Sequence, residues 1–183
     1  MEKLLVLLPL LLVAASCGKA PEKELSPIDS DDPEVTYYTA KLTPENSLVT
    51  AEDTTTNYTV HIPSTEDAEV IYDIEIGAPM YLSTKAHEFI MKPGSYLKSV
   101  STFKVDRIIV DFFGGKGVNF GVYAASERTS EPLAYHESSI APEDPTDGGI
   151  VYEYSIQGNA WYMDNITEFN KPGIYSVTVV FSK

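Results

Sequence analysis

The chain has 183 residues, a formal net charge of −14 from 27 acidic and 13 basic side chains, and one cysteine. So acidic a balance speaks against nucleic acid, whose affinity comes from Lys and Arg neutralising phosphates, and the singly scattered basic residues make no patch for anionic lipid. A lone cysteine rules out an internal disulfide, while the length suits one domain with a sizeable core.

Residues 1–16 read as an export signal. Met-Glu-Lys is followed by an apolar run of twelve residues, Leu4 to Ala15. As a helix such a run reaches about 18 Å, short of the roughly 30 Å hydrocarbon core. It therefore suits the h-region of a signal peptide and not a permanent span. At its end, Ala14-Ala15-Ser16-Cys17 resembles the lipobox of bacterial lipoproteins, with Ala14 where that family usually carries Leu. The resemblance implies cleavage before Cys17, a diacylglycerol on its sulfur, and a membrane anchor on a bacterial envelope, at the outer membrane or cell surface. Each buried methylene of the acyl chains contributes about 0.8 kcal/mol, so several chains make a stable anchor. The alternative is an ordinary secretory signal cut after Ala15, since Val13-Ala14-Ala15 also satisfies the small-residue rule.

Residues 17–34 are rich in Pro, Glu, Asp, Ser and Lys, with Leu25 and Ile28 isolated among them. A segment of this composition buries too little to offset its ordering entropy, so a flexible, lipid-anchored acidic tether is expected. Asp29, Asp31, Asp32 and Glu34 keep it solvated.

Residues 35–183 form the expected globular domain, and period-two alternation dominates it. Tyr58, Val60 and Ile62 alternate with Thr59 and His61; Val70, Tyr72, Ile74 and Ile76 alternate with Ile71, Asp73 and Glu75. Over Phe103 to Phe113 the apolar parity switches near Asp106-Arg107, which predicts a bulge in a central strand. Gly114-Gly115-Lys116-Gly117 then suits a hairpin loop, since a phosphate-cradling loop would need a following helix and a Lys-Ser/Thr ending. Phe120 and Val122 share a face opposite Gly121 and Tyr123. Tyr152, Tyr154 and Ile156 oppose Val151, Glu153 and Ser155. The closing strand sets Tyr175, Val177, Val179 and Phe181 inward. Helical signal is thin: two turns over Lys85–Met91, stopped by Pro93-Gly94, and a single turn at Ser64–Ala68. Many short strands without a long crossover helix give an all-β fold, an antiparallel β-sandwich with few short helices.

The run Phe103-Lys-Val-Asp-Arg-Ile-Ile-Val-Asp-Phe112, then Val118-Asn-Phe-Gly-Val-Tyr123, then Pro172-Gly-Ile-Tyr-Ser-Val-Thr-Val-Val-Phe181 resembles the galactose-binding-like or jelly-roll domains of carbohydrate-active and surface proteins. The resemblance covers about half the chain and implies a sandwich fold; function has to be argued from the site.

Catalysis finds no support in motifs, although a carboxylate pair for glycoside hydrolysis follows only a spatial rule and that activity stays open at the level of sequence. His61, His87 and His136 are far apart, His87-Glu88 lacks the second histidine of a metalloprotease helix, and no Gly-x-Ser-x-Gly elbow occurs. No cofactor is expected beyond a structural calcium at the loop carrying Glu143, Asp144 and Asp147, where a solvated acidic loop is the plainer reading. The segment Gln157-Gly-Asn-Ala-Trp-Tyr-Met-Asp-Asn165 holds the one tryptophan beside a tyrosine, amides and an acid. An aromatic face for C–H patches and planar polar groups for hydroxyls suit a sugar, so Trp161, Tyr162, Asp164 and Asn165 are the candidate ligand residues. Strand neighbours face opposite ways, so Trp161 and Tyr162 cannot share one core; Trp161 as a core anchor with Tyr162 at the rim is the competing reading. The expectation is a non-enzymatic, lipid-anchored envelope protein that binds glycan or another extracytoplasmic ligand. The alternative is a structural or adhesion component that engages a protein partner through an edge strand.

Overall fold

The structure, a computed structural model, describes residues 35–52, 54–83, 87–113, 118–138, 150–166 and 173–183. The expected signal segment with Cys17, the expected tether, the 114–117 loop, and Glu143, Asp144 and Asp147 lie outside the described residues. The described residues hold twelve strands: β1 (Tyr37–Leu42), β2 (Tyr58–Pro63), β3 (Ile71–Gly77), β4 (Met80–Ser83), β5 (Glu88–Met91), β6 (Tyr96–Ser99), β7 (Lys104–Phe113), β8 (Val118–Tyr123), β9 (Ala134–Ser138), β10 (Ile150–Gly158), β11 (Tyr162–Asn165) and β12 (Gly173–Ser182). No helix occurs among them, and every pairing is antiparallel.

The strands form two sheets. The first runs β10-β7-β12-β5-β4, with β1 also pairing β12; the second runs β2-β3-β6-β11-β8-β9. Alternation decides which side of each strand is buried. Val60, Ile62, Tyr72, Ile74, Ile76, Leu97, Phe120, Val122 and Met163 of the second sheet meet Leu42, Ile108, Val110, Phe112, Val177, Val179 and Phe181 of the first in one core. Aromatic pairs bridge the layers: Phe112 meets Phe120 edge-on at 4.8 Å, and Tyr72 meets Phe181 at 4.7 Å between ring centroids. The all-β sandwich expected from the strand pattern is the fold observed.

The parity switch in β7 is a bulge. Arg107 pairs with Val180 and Val105 with Phe181, leaving Asp106 as the extra residue. Val105 and Ile108 thereby both reach the core, and β7 is flanked by β10 and β12. A small polar recess lined by Tyr37, Lys104, Asp106, Gln157 and Ser182 opens beside this bulge.

Three local expectations need correction. The helix read over Lys85–Met91 is a strand where it is described. Glu88, Phe89, Ile90 and Met91 are all buried in β5 between β4 and β12, so cross-strand pairing overrides a weak local preference. His87, at φ 52°, makes the turn into it. Ser64–Ala68 is a turn without a helix: Ser64 Oγ accepts the Asp67 amide at 3.0 Å and donates to the Asp67 carbonyl at 2.8 Å. Tyr175 does not share the inward row of β12, because a second register shift between Ile174 and Ser176 displaces it and Ile174 fills the core instead.

Candidate functional site

The four sequence-derived candidates lie on or beside β11, and the strand pleat sorts them into two pairs. Trp161 and Asn165 face inward. Trp161 is completely buried; its Nε1 donates to Tyr72 Oη at 3.0 Å, Tyr72 Oη and Ser99 Oγ are 2.7 Å apart, and the Ser99 amide donates to the Trp161 carbonyl at 3.0 Å. This closed loop satisfies the indole N–H inside the core, as a buried tryptophan requires. Burial holds the Tyr72 hydroxyl neutral, its pKa pushed up to about 12. Asn165 is buried too, with Nδ2 donating to the Met91 carbonyl at 2.8 Å. Of the two sequence readings, Trp161 as a core anchor with Tyr162 at the rim is the one observed; Trp161 as an exposed stacking platform is corrected, since its ring offers no face to solvent.

Tyr162 and Asp164 point the other way, onto the outer face of the second sheet. Register places their neighbours in two rows. One row reads Gly77, Tyr96, Asp164, Gly121 across β3, β6, β11 and β8; the next reads Glu75, Lys98, Tyr162, Tyr123. Tyr96 lies over Gly77 and Tyr123 over Gly121, each ring occupying space that a Cβ on the glycine would need. Tyr162 stacks on Tyr96 at 5.2 Å and 24° and lies 6.0 Å from the tilted Tyr123 ring. Tyr123 is buried, whereas Tyr96 and Tyr162 are half-buried, so these two rings present aromatic surface.

Two ion pairs border the rings. Arg128, from the segment after β8, donates through Nε to Asp164 Oδ2 at 2.6 Å; the acid is buried and the base is not, their side chains being 4% and 53% exposed. Burial raises the Asp164 pKa, with Arg128 opposing the rise, and Oδ1 remains buried without a hydrogen-bond partner. Lys98 Nζ lies 3.2 Å from Glu75 Oε1 and 5.3 Å from the centre of the Tyr96 ring. Tyr96 Oη donates to Glu75 Oε1 and accepts from Asn57 Nδ2 at 2.8 Å. Burial first, then the neighbouring acids, pushes the Tyr96 and Tyr162 hydroxyls up to about 12, so both stay protonated near neutrality.

Comparison with models of known protein families finds no match. Comparison with curated proteins finds none either. The site is therefore read from its own chemistry. Tyr96, Lys98, Glu75, Tyr123 and Arg128 were not singled out from sequence. Alternation in Val118–Tyr123 does place Gly121 and Tyr123 on the side opposite Phe120, but nothing local shows that β11 and β6 lie beside it.

Elsewhere, His61 is exposed on β2 with Nδ1 2.7 Å from Asp73 Oδ1, and His87 is exposed in its turn. The outer face of the first sheet carries Glu88 and Asp111, each with its carboxyl pKa raised by burial; Glu88 packs where a Cβ on Gly173 would collide with it.

Proposed function

We propose that this chain is a lipid-anchored envelope protein, tethered through Cys17 at the outer membrane or cell surface, whose β-sandwich domain binds glycan without catalysis. The ligand lies on the outer face of the second sheet, over Tyr162 and Tyr96 and between the Arg128–Asp164 and Lys98–Glu75 pairs. The supporting observation is the stacked pair of half-buried tyrosine rings at 5.2 Å, seated on a glycine-flattened floor and edged by charged groups. Ring faces take the C–H patches of a pyranose, and the charged groups fix its hydroxyls. A glycan array with the full chain tests this. Tyr162→Ala abolishes binding while the core substitution Trp161→Phe retains it; an array with no bound glycan, or binding indifferent to Tyr162→Ala, would sink the proposal.

A second reading, engagement of a protein partner, draws on β10. It spans Ile150–Gly158 and pairs with β7 alone among the described strands. The edge carries no Lys or Pro, and Glu153 is its single charge. Unguarded edges of this kind accept an incoming strand. Slower amide exchange over Val151–Ser155 on intact envelopes than in purified protein is the expected result; equal exchange removes this reading.

A further inference from the structure

The proposed face presents open donors, although the chain carries about twice as many acids as bases. Arg128 spends Nε on Asp164 and is 53% exposed, and its two Nη groups make no hydrogen bond among the described residues. That leaves the fork of the guanidinium that pairs bidentately with carboxylate or sulfate oxygens. Among the described residues the Tyr162 hydroxyl likewise makes no hydrogen bond, and Lys98 stands directly across from Tyr162 on β6.

On the same face Glu75 Oε1 is occupied and Asp164 is covered, while Glu75 Oε2 stays open among the described residues. Glu75 Oε1 already receives Tyr96 and Lys98, and Asp164 lies beneath Arg128 with Oδ1 shut off from solvent. The base is the more exposed member of both ion pairs, by a wide margin at Arg128–Asp164 and a small one at Lys98–Glu75. Glu127, exposed on the segment that carries Arg128, is the opposing acid near Tyr162. A neutral sugar hydroxyl both donates and accepts, and here it would find donors with few acceptors left to answer it.

From this arrangement we infer that the ligand is an acidic glycan, whose carboxylate or sulfate is gripped by the Arg128 fork with Tyr162 beside it. The inference rests on the glycan-binding reading of the same face. It is tested by titrating the full chain with matched probes: oligogalacturonate against its carboxyl-reduced form, and a chondroitin sulfate oligosaccharide against its desulfated form. The acidic member of at least one pair binds roughly tenfold tighter, and the pair that shows the difference tells carboxylate from sulfate. Arg128→Gln removes the difference. Because that change strands Asp164, the Arg128→Gln/Asp164→Asn double variant, neutral at both positions, repeats the measurement without a buried unpaired charge. Tyr162→Ala weakens acidic and neutral members alike. Equal binding within both pairs, unchanged by Arg128→Gln but lost with Tyr162→Ala, overturns the acidic class and leaves the glycan site standing. No binding to any probe, or binding indifferent to Tyr162→Ala, overturns both.

Discussion

Glu88 is 7% exposed, packs over Gly173, and leaves Oε2 without a hydrogen-bond partner. Burial raises its pKa above the ordinary 4.5, so the folded chain holds that proton more tightly than the unfolded chain does. The stability contributed by the protonated form is complete below the ordinary value and is lost as pH rises through the raised one. Glu88→Gln keeps a neutral side chain of similar shape. The variant is expected to match the parent near pH 4 and to melt higher than it near pH 8, with Asp111 supplying a remaining slope. Melting curves at the two pH values check this, and a constant offset between the proteins would contradict it. Trp161 marks what single residues reveal in sequence. Alternation required that either Trp161 or Tyr162 face outward, but which one faces inward depends on Tyr72 and Ser99, which accept the indole and tie down its backbone from β3 and β6.

At the level of elements, length decides what can be read. β7, β10 and β12 are nine or ten residues long, and their alternation, together with the parity break at Asp106, shows in the sequence. β4, β5, β6 and β11 have four residues each, too few to establish a period. Their identity comes from partners far along the chain, which is why β5 read as helix and why the neighbours of β11 could not be named. The bulge offers a direct test. Asp106 is the residue that lets Phe103 and Val105 reach the core on one side of it while Ile108 and Val110 reach it on the other. Deleting Asp106 forces one of the two groups onto the outer face, since a one-residue slip inverts every side chain beyond it. A loss on the order of several kcal/mol is expected in denaturant unfolding, whereas Asp106→Asn, which keeps the residue count, costs far less. Near-equal midpoints for the deletion and the parent would show that the bulge is dispensable.

For the whole molecule, a charge of −14 means that the folded chain holds like charges closer together than the unfolded chain does. Raising salt from about 10 mM to about 150 mM shortens the screening length from roughly 30 Å to roughly 8 Å. The melting temperature is expected to rise by roughly a few degrees. A fall would mean that the ion pairs, Lys98–Glu75 and Arg128–Asp164 among them, outweigh the repulsion. Fold class was legible because composition and periodicity are properties of the entire chain. Sheet order was not, because it depends on pairings such as β1 with β12 that join opposite ends of the domain. That pairing also has a mechanical consequence. Among the described strands β1 pairs with β12 alone, with Tyr37 opposite Ser182, while the Thr39 carbonyl accepts from the Thr65 amide at 2.8 Å and the Thr39 amide donates to Glu66 Oε2 at 2.6 Å. A pull on the chain preceding Val35 therefore loads this ladder first, at Tyr37 and Tyr38. Drawn along the strand axis, the load falls on all its hydrogen bonds together and the joint resists as a shear plate. Drawn across that axis, the bonds open one after another, beginning at Tyr37, and the same joint peels.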